Sequence, residues 1–309
     1  MLEESSSSKR NEDVWPELPY SAWKDTYATL HMWTQIVGKI ELKLNPLTNH
    51  WWETALLVTP TGLTTYPIYY NFRSFTIDFN FHENLLKIAT SDGSRKSMSL
   101  ESLSVAEFYF ELMKLLSELG ITVKINTLPQ EVPNPVHFQN NKVTHPYNRQ
   151  QVKNFHKILL QADRLMKQFS GSFVGKQSPV HFFWGSFDLA VTRFSGRPAS
   201  SPAATDVINK EAYSHEVISV GFWPGSGNIL EAAFYAYAAP EPKNFNSSHE
   251  IKPDKAFYNP PTKGYILKYE DVRKADNPDQ MVLDFFQSTY EVGAQLGGWD
   301  RRNLERNFH

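Results

Sequence analysis

Between Ser74 and Phe81 apolar and polar residues alternate without a break, with Phe75, Ile77, Phe79 and Phe81 set against Ser74, Thr76, Asp78 and Asn80. A period of two is a strand with one face in a core and the other in polar surroundings, so this segment commits the chain to a sheet covered on one side. His82, Glu83 and Asn84 then turn the chain into Leu85 to Thr90, which reads as a hairpin of an antiparallel sheet. The same spacing predicts another strand over 39–44, with Ile40, Leu42 and Leu44 on one face and Lys39, Glu41 and Lys43 on the other.

Helical signals surround these strands. Trp23, Tyr27, Leu30 and Thr34 fall on one face of a helix running from Ser21 to about Gln35, with His31 beside the stripe. Ser104 with Glu107 forms a capping box for a helix whose stripe is Val105, Phe108, Leu112, Leu115 and Leu119, ended by Gly120. Asn148 with Gln151 opens another, through Val152, Phe155, Leu159, Ala162, Met166 and Phe169. Asn277 and Pro278 open a last one, through Val282, Phe285, Phe286, Thr289 and Leu296 to Gly297-Gly298.

The fold class is therefore α+β, with two antiparallel sheets and packed helices. The expected organisation is a disordered Ser-rich tail over 1–13, an N-terminal α+β half over 14–127, a Pro-rich crossing over 128–147, and a C-terminal α+β half over 148–309. The halves are expected to pack as one globule. Both halves run helix, Val-Gly-Lys (Val37-Gly38-Lys39; Val174-Gly175-Lys176), strands, then a capped helix ending Leu-Gly. Either an internal duplication of a helix-sheet-helix unit or the common recurrence of that arrangement accounts for the match.

Composition removes several classes of function. The 31 basic and 33 acidic side chains give a net charge of -2, too little field for nucleic acid or anionic lipid as partner. No stretch approaches the roughly 20 apolar residues of a spanning helix, so no membrane partner is expected. There are no cysteines, which excludes disulfides and thiolate chemistry and fits a cytoplasmic location. Only His, Asp and Glu remain as metal ligands. No phosphate loop, dinucleotide fingerprint or nucleophile elbow is present, and the sequence names no cofactor.

The run WPELPYSAWKDTYATLHMWTQIVGK from Trp15 to Lys39, the segment Asn49-His50-Trp51-Trp52 and the run GKQSPVHFFWGSFDLA from Gly175 to Ala190 resemble an uncharacterised bacterial family, a domain of unknown function. Tyr213-Ser214-His215-Glu216-Val217 and Gly221-Phe222-Trp223-Pro224-Gly225 resemble its later signatures. The resemblance implies membership and a bacterial origin, and transfers no catalytic residue.

Function must then be argued from chemistry. If the segment after Val180 is extended, Trp184, Ser186, Asp188 and Thr192 share a face, pairing an indole with hydroxyls and a carboxylate. Pro224-Gly225-Ser226-Gly227-Asn228 reads as a five-residue hairpin loop that pairs Trp223 with Ile229 and Phe222 with Leu230. Ile218, Val220 and Phe222 then face the core. His215, Trp223, Tyr235 and Tyr237 face the other way.

The candidate site is accordingly Asp188 and His215 as acid or base, with Trp184, Ser186, Trp223, Tyr235, Tyr237 and Arg193 as ligand-binding groups. Arg193 would act as a bidentate clamp for an anion, although arginines beside loops are most often solvated. A metal, if one is used, would fall to His31, His50, His181 and His215, with Asp188 or Glu216. The first reading of function is binding or conversion of a small polar molecule in this aromatic, His- and Asp-lined cleft of the C-terminal half. The alternatives are a non-catalytic interaction or scaffold protein and a His/carboxylate metal-dependent hydrolase.

Overall fold

The computed structural model describes residues 13–199, 207–226 and 229–306; most of the expected tail lies outside them. The fold is α+β, with two six-stranded antiparallel sheets and packed helices. The chain forms two compact units. One holds Ser21–His156 together with Phe182–Phe187, and the other holds the rest of the described chain. No helix among the described residues is long and apolar enough to cross a membrane.

The first unit is organised on α1, Tyr20–Leu44. Trp33 to Glu41 are nine consecutive buried residues, so the helix is enclosed on every side rather than along one stripe. This corrects the strand expected over 39–44. The alternation there is only six residues long, and Ile36, Ile40 and Leu44 also recur every fourth residue. Extending a helix already formed costs little beside nucleating a new element.

The sheet of this unit runs β1 (Leu57–Thr59), β2 (Gly62–Thr64), β4 (Arg73–Asn80), β5 (Leu85–Thr90), β6 (Arg95–Ser99), with β3 (Ile68–Tyr70) also paired to β4. The expected hairpin is present, with Phe75, Ile77 and Phe79 opposite Thr90, Ile88 and Leu86. Phe79 stacks on Phe108 of α2 (Val105–Glu118), and Phe108 stacks on Trp33 of α1 with centroids 4.7 Å apart and planes 8° from parallel. One column of rings thus joins sheet, α2 and α1.

The crossing over 128–147 is irregular, with a single 3-10 turn at Phe138–Asn140. Phe138 and Pro129 are its buried residues. Helix α3, Arg149–Ser170, contributes its first two turns to this unit and the remainder to the other.

The second sheet runs β11 (Phe257–Asn259), β12 (Gly264–Lys268), β10 (Ala233–Ala239), β9 (His215–Trp223), β8 (Asp188–Pro198), β7 (His181–Phe183). In its unit α4 (Val207–Ala212) precedes β9, α5 (Tyr269–Arg273) follows β12, and α6 (Pro278–Leu296) precedes α7 (Arg301–Leu304). Phe286 of α6 packs on Phe234, and Phe234 on Phe222, so the even-numbered face of β9 and β10 is core as expected.

The register differs. Phe222 pairs with Phe234 and Trp223 with Ala233, four residues further along β10 than the five-residue loop allows. Ile229 N–H donates to Ser226 O at 3.1 Å within a nine-residue connection between the strands. Gly227 and Asn228 lie outside the described residues. Because the slip is an even number, every side chain keeps its face.

The similarity of the halves does not extend to topology. The strand orders differ, and Val37-Gly38-Lys39 is inside α1 while Val174-Gly175-Lys176 is irregular. The caps are where the sequence placed them. Glu107 N–H donates to the Ser104 hydroxyl and Ser104 N–H to the Glu107 carboxylate, and Gln280 N–H donates to Asn277 Oδ1. Ser104→Ala should lower stability by about 1 kcal/mol in urea unfolding, since it orphans the N-terminal donors of α2.

Candidate functional site

The outer face of the second sheet is built in two lanes that cross β10, β9 and β8. Tyr235, Gly221 and Ala190 are aligned in one, and Tyr237, Ser219 and Thr192 in the other. In the first lane the middle strand has no side chain, and the Tyr235 ring lies directly on the Gly221 backbone. A β-carbon at 221 would sit 2.2 Å from Tyr235 Cζ. The phenol therefore spans β9 and donates its hydrogen bond to Asp188 Oδ2 at the start of β8.

In the second lane Ser219 is short enough for Tyr237 to lie beside Tyr235, with centroids 6.1 Å apart and planes 18° from parallel. The Tyr237 and Tyr213 hydroxyls are 3.0 Å apart, and those of Thr192 and Ser219 are 2.9 Å apart. Asp188 is buried at 8% exposure, while Tyr235, Tyr237, Thr192 and Trp223 are half-buried.

Burial, then the adjacent Asp188 carboxylate, pushes the Tyr235 hydroxyl far above the usual phenol range. Burial and Tyr213 do the same for Tyr237. The phenols are thus held neutral, with the Tyr235 hydrogen committed to the Asp188 carboxylate.

Not every expected residue joins this cluster. His215 pairs with Pro198 at the far end of β8, whereas Asp188 precedes the Leu189–Phe222 pair. About eight strand residues, on the order of 26 Å, separate Asp188 from His215. His215 Nδ1 instead lies 3.0 Å from the Ser214 hydroxyl. Trp223 stands at the Asp188 end of β9.

Arg193 is a correction to the surface clamp, because it faces the core and is fully buried. Its guanidinium lies 3.5 Å from the Phe169 ring centre and 4.2 Å from that of Tyr290, and donates to Phe169 O and Ser172 Oγ. Desolvation lowers its pKa to about 10. It closes the C-terminal end of α3. Arg197 does the same for α6, donating to Gly297 O and Gly298 O while paired with Glu216 at 2.7 Å.

Trp184 and Ser186 belong to the first unit. The Trp184 indole is buried against Gly38 of α1, where a β-carbon would sit 2.0 Å from Nε1, and its N–H donates to Thr54 O at 2.7 Å. Ser186 is exposed and donates to Glu131 Oε2. His31 and His50 are in this unit too, whereas His181 and His215 are in the other. Among the described residues no three His, Asp or Glu side chains are grouped so as to hold a metal ion.

His31 Nε2 donates to Gly185 O at 2.7 Å. Burial dominates its environment and lowers its pKa to about 4, against the support of the Gly185 and Trp184 carbonyls; burial alone lowers His181 to about 4. What the sequence reading missed is that His31 begins a line of buried polar residues along the enclosed helix, with Gln35 and Lys39 at four-residue steps. Their spacing was the available signal. It was hidden because Lys39 had been placed on a strand.

The fold and this face define an α+β protein with two antiparallel sheets and an acid–phenol surface on one of them. The chain belongs to the family described as Family of unknown function (DUF5996), whose model matches residues 15–306. No curated protein and no solved structure matches it.

Two outcomes test this geometry. Gly221→Ala should lower stability by about 1–3 kcal/mol in thermal unfolding, because the added methyl must drive the Tyr235 ring off its lane; an unchanged melting temperature contradicts the lane. The second concerns pH. The native pKa of His31 is below its unfolded value of 6.5, so between 6.5 and about 4 the unfolded chain takes up a proton that the native chain refuses. Stability is full above 6.5 and falls as pH drops through that window, by at most on the order of 3 kcal/mol for this one group. Urea unfolding at pH 7, 6 and 5 should show a shallower decline in His31→Gln; an unchanged slope contradicts the assignment.

Proposed function

We propose that the chain binds a small polar molecule at the Asp188–Tyr235–Tyr237 face of its second sheet. The observation that carries the reading is the buried Asp188 carboxylate, held by a phenol that reaches it across bare backbone. A carboxylate is the acceptor that the hydroxyl or amine hydrogens of a polar ligand seek. The stacked pair Tyr235 and Tyr237 supplies a flat wall, and the Tyr213, Thr192 and Ser219 hydroxyls supply groups that both donate and accept.

Asp188 is also the group on this face suited to take or return a proton, with the neutral phenols orienting the ligand. His215 is too far along the strand to share that ligand. The same proposal places the chain in the cytoplasm, on its cysteine-free composition, and gives it no nucleic-acid partner, on its charge balance.

Asp188→Asn tests the reading, since an amide oxygen still accepts the Tyr235 hydrogen bond while the charge is lost. The full chain should be screened by thermal shift and native mass spectrometry against sugars, polyols, amino acids and small amines. At least one class should bind the wild type, and Asp188→Asn should weaken it about tenfold or more while stability changes by no more than about 1.5 kcal/mol. No binder in any class, or equal binding by Asp188→Asn, overturns the proposal.

A further inference from the structure

The enclosed helix α1 carries a buried cation whose one acceptor lies at long range. His31, Gln35 and Lys39 stand four residues apart on it, at 5%, 0% and 3% exposure. Two of them are well matched. His31 donates to Gly185 O, and the Gln35 amide clamps the backbone of Gln130, donating to its carbonyl and accepting from its N–H at 2.8 Å each.

Lys39 is different. Its Nζ reaches Gln130 Oε1 at 3.4 Å, a long hydrogen bond, and lies 5.8 Å from the centre of the Trp184 ring. No carboxylate among the described residues is within 4.0 Å of it. Glu41, two residues on, points about 200° around the helix and accepts from Tyr66 N–H instead. A buried ammonium with one weak acceptor is costly, whereas a neutral amine at the same place is not. Burial accordingly lowers the Lys39 pKa.

The acceptor for this amine belongs to a short strap, Gln130–Glu131. Side chains hold it at both ends, Gln35 on Gln130 and Ser186 on Glu131. The Glu131 carboxylate lies so close to the Trp184–Ser186 turn that a β-carbon on Gly185 would sit 2.6 Å from Oε1. Glu131 has φ 56° and Phe187, just after the turn, has φ 59°, left-handed backbone that non-glycine residues adopt at a cost of about 1–3 kcal/mol each. Strap and turn are thus held under strain by a few hydrogen bonds.

We propose that Lys39 is a nucleophilic amine that condenses with the carbonyl carbon of a small aldehyde or ketone, at a site floored by the Trp184 ring and bordered by the Gln130–Glu131 strap. The Nζ lone pair forms the C–N bond and the carbonyl oxygen becomes a hydroxyl. That hydroxyl leaves as water with the remaining amine hydrogen, giving a C=N bond with no oxidant or reductant. On protonation the imine is a cation above an indole face, which Trp184 stabilises. This site lies in the first unit and is independent of the Asp188 face.

Reductive trapping on the full chain tests it. Pyruvate and glycolaldehyde, each with sodium cyanoborohydride at pH 7, should modify Lys39 at least about tenfold faster than the exposed lysines, because more of Lys39 is unprotonated. Peptide mapping by mass spectrometry reads each site separately in the wild type, so the result does not depend on a variant folding. Lys39→Met should lose the fast modification, and Glu131→Ala, which frees the strap from Ser186, should quicken it. Exposed lysines modified while Lys39 is spared, or Lys39 modified no faster than they are, overturns the proposal.

Discussion

A phenol ring resting on bare backbone is the contact on which the outer face of the second sheet depends. In a sheet, aligned residues on three neighbouring strands normally shield one another, and a side chain on the middle strand stops its neighbour from reaching across. Gly221 removes that obstacle, and Tyr235 reaches Asp188 two strands away. Tyr237 then stacks alongside, and its hydroxyl meets that of Tyr213. The first unit uses the same device once, where Gly38 lets the Trp184 indole lie on the backbone of α1.

Two buried cations show how differently a core treats charge. Arg193 has ring faces on several sides and carbonyl and hydroxyl acceptors for Nη2 at the end of α3, so cation–π contact and helix capping offset its burial. Its Nε and Nη1 have no hydrogen-bond acceptor among the described residues. Lys39 has one ring at longer range and one long hydrogen bond. Burial lowers the pKa of the second, which sets Lys39 apart from the solvated lysines of the chain.

Local chemistry was the legible part of this sequence. The Ser104–Glu107 box, the Asn277 cap and the Phe75–Phe81 hairpin depend on residues close together in the chain, and each is present. The strand expected over 39–44 failed because six residues of alternation also satisfy a helix once the helix is enclosed. The β9–β10 register failed because a run of turn residues marks where a chain bends without fixing how long the connection is. Asp188, Tyr235 and Tyr237 were legible as one face because strand parity survives an even slip. The lane itself was not, since a glycine reads as a break until the residue crossing it is known. Arg193 was misplaced because its ring partners, Phe169, Phe173 and Tyr290, come from outside its strand and are not seen in its local alternation.

The most direct test of the acid–phenol face is a titration of the protein labelled with 13C at tyrosine Cζ, with Tyr235→Phe used to assign one resonance among the 14 tyrosines. A phenol buried beside Asp188 should show no ionisation where exposed tyrosines titrate, near pH 10. Asp188→Asn should bring that resonance closer to the ordinary range. A Tyr235 resonance that titrates near 10 in the wild type, or one indifferent to Asp188→Asn, contradicts the account.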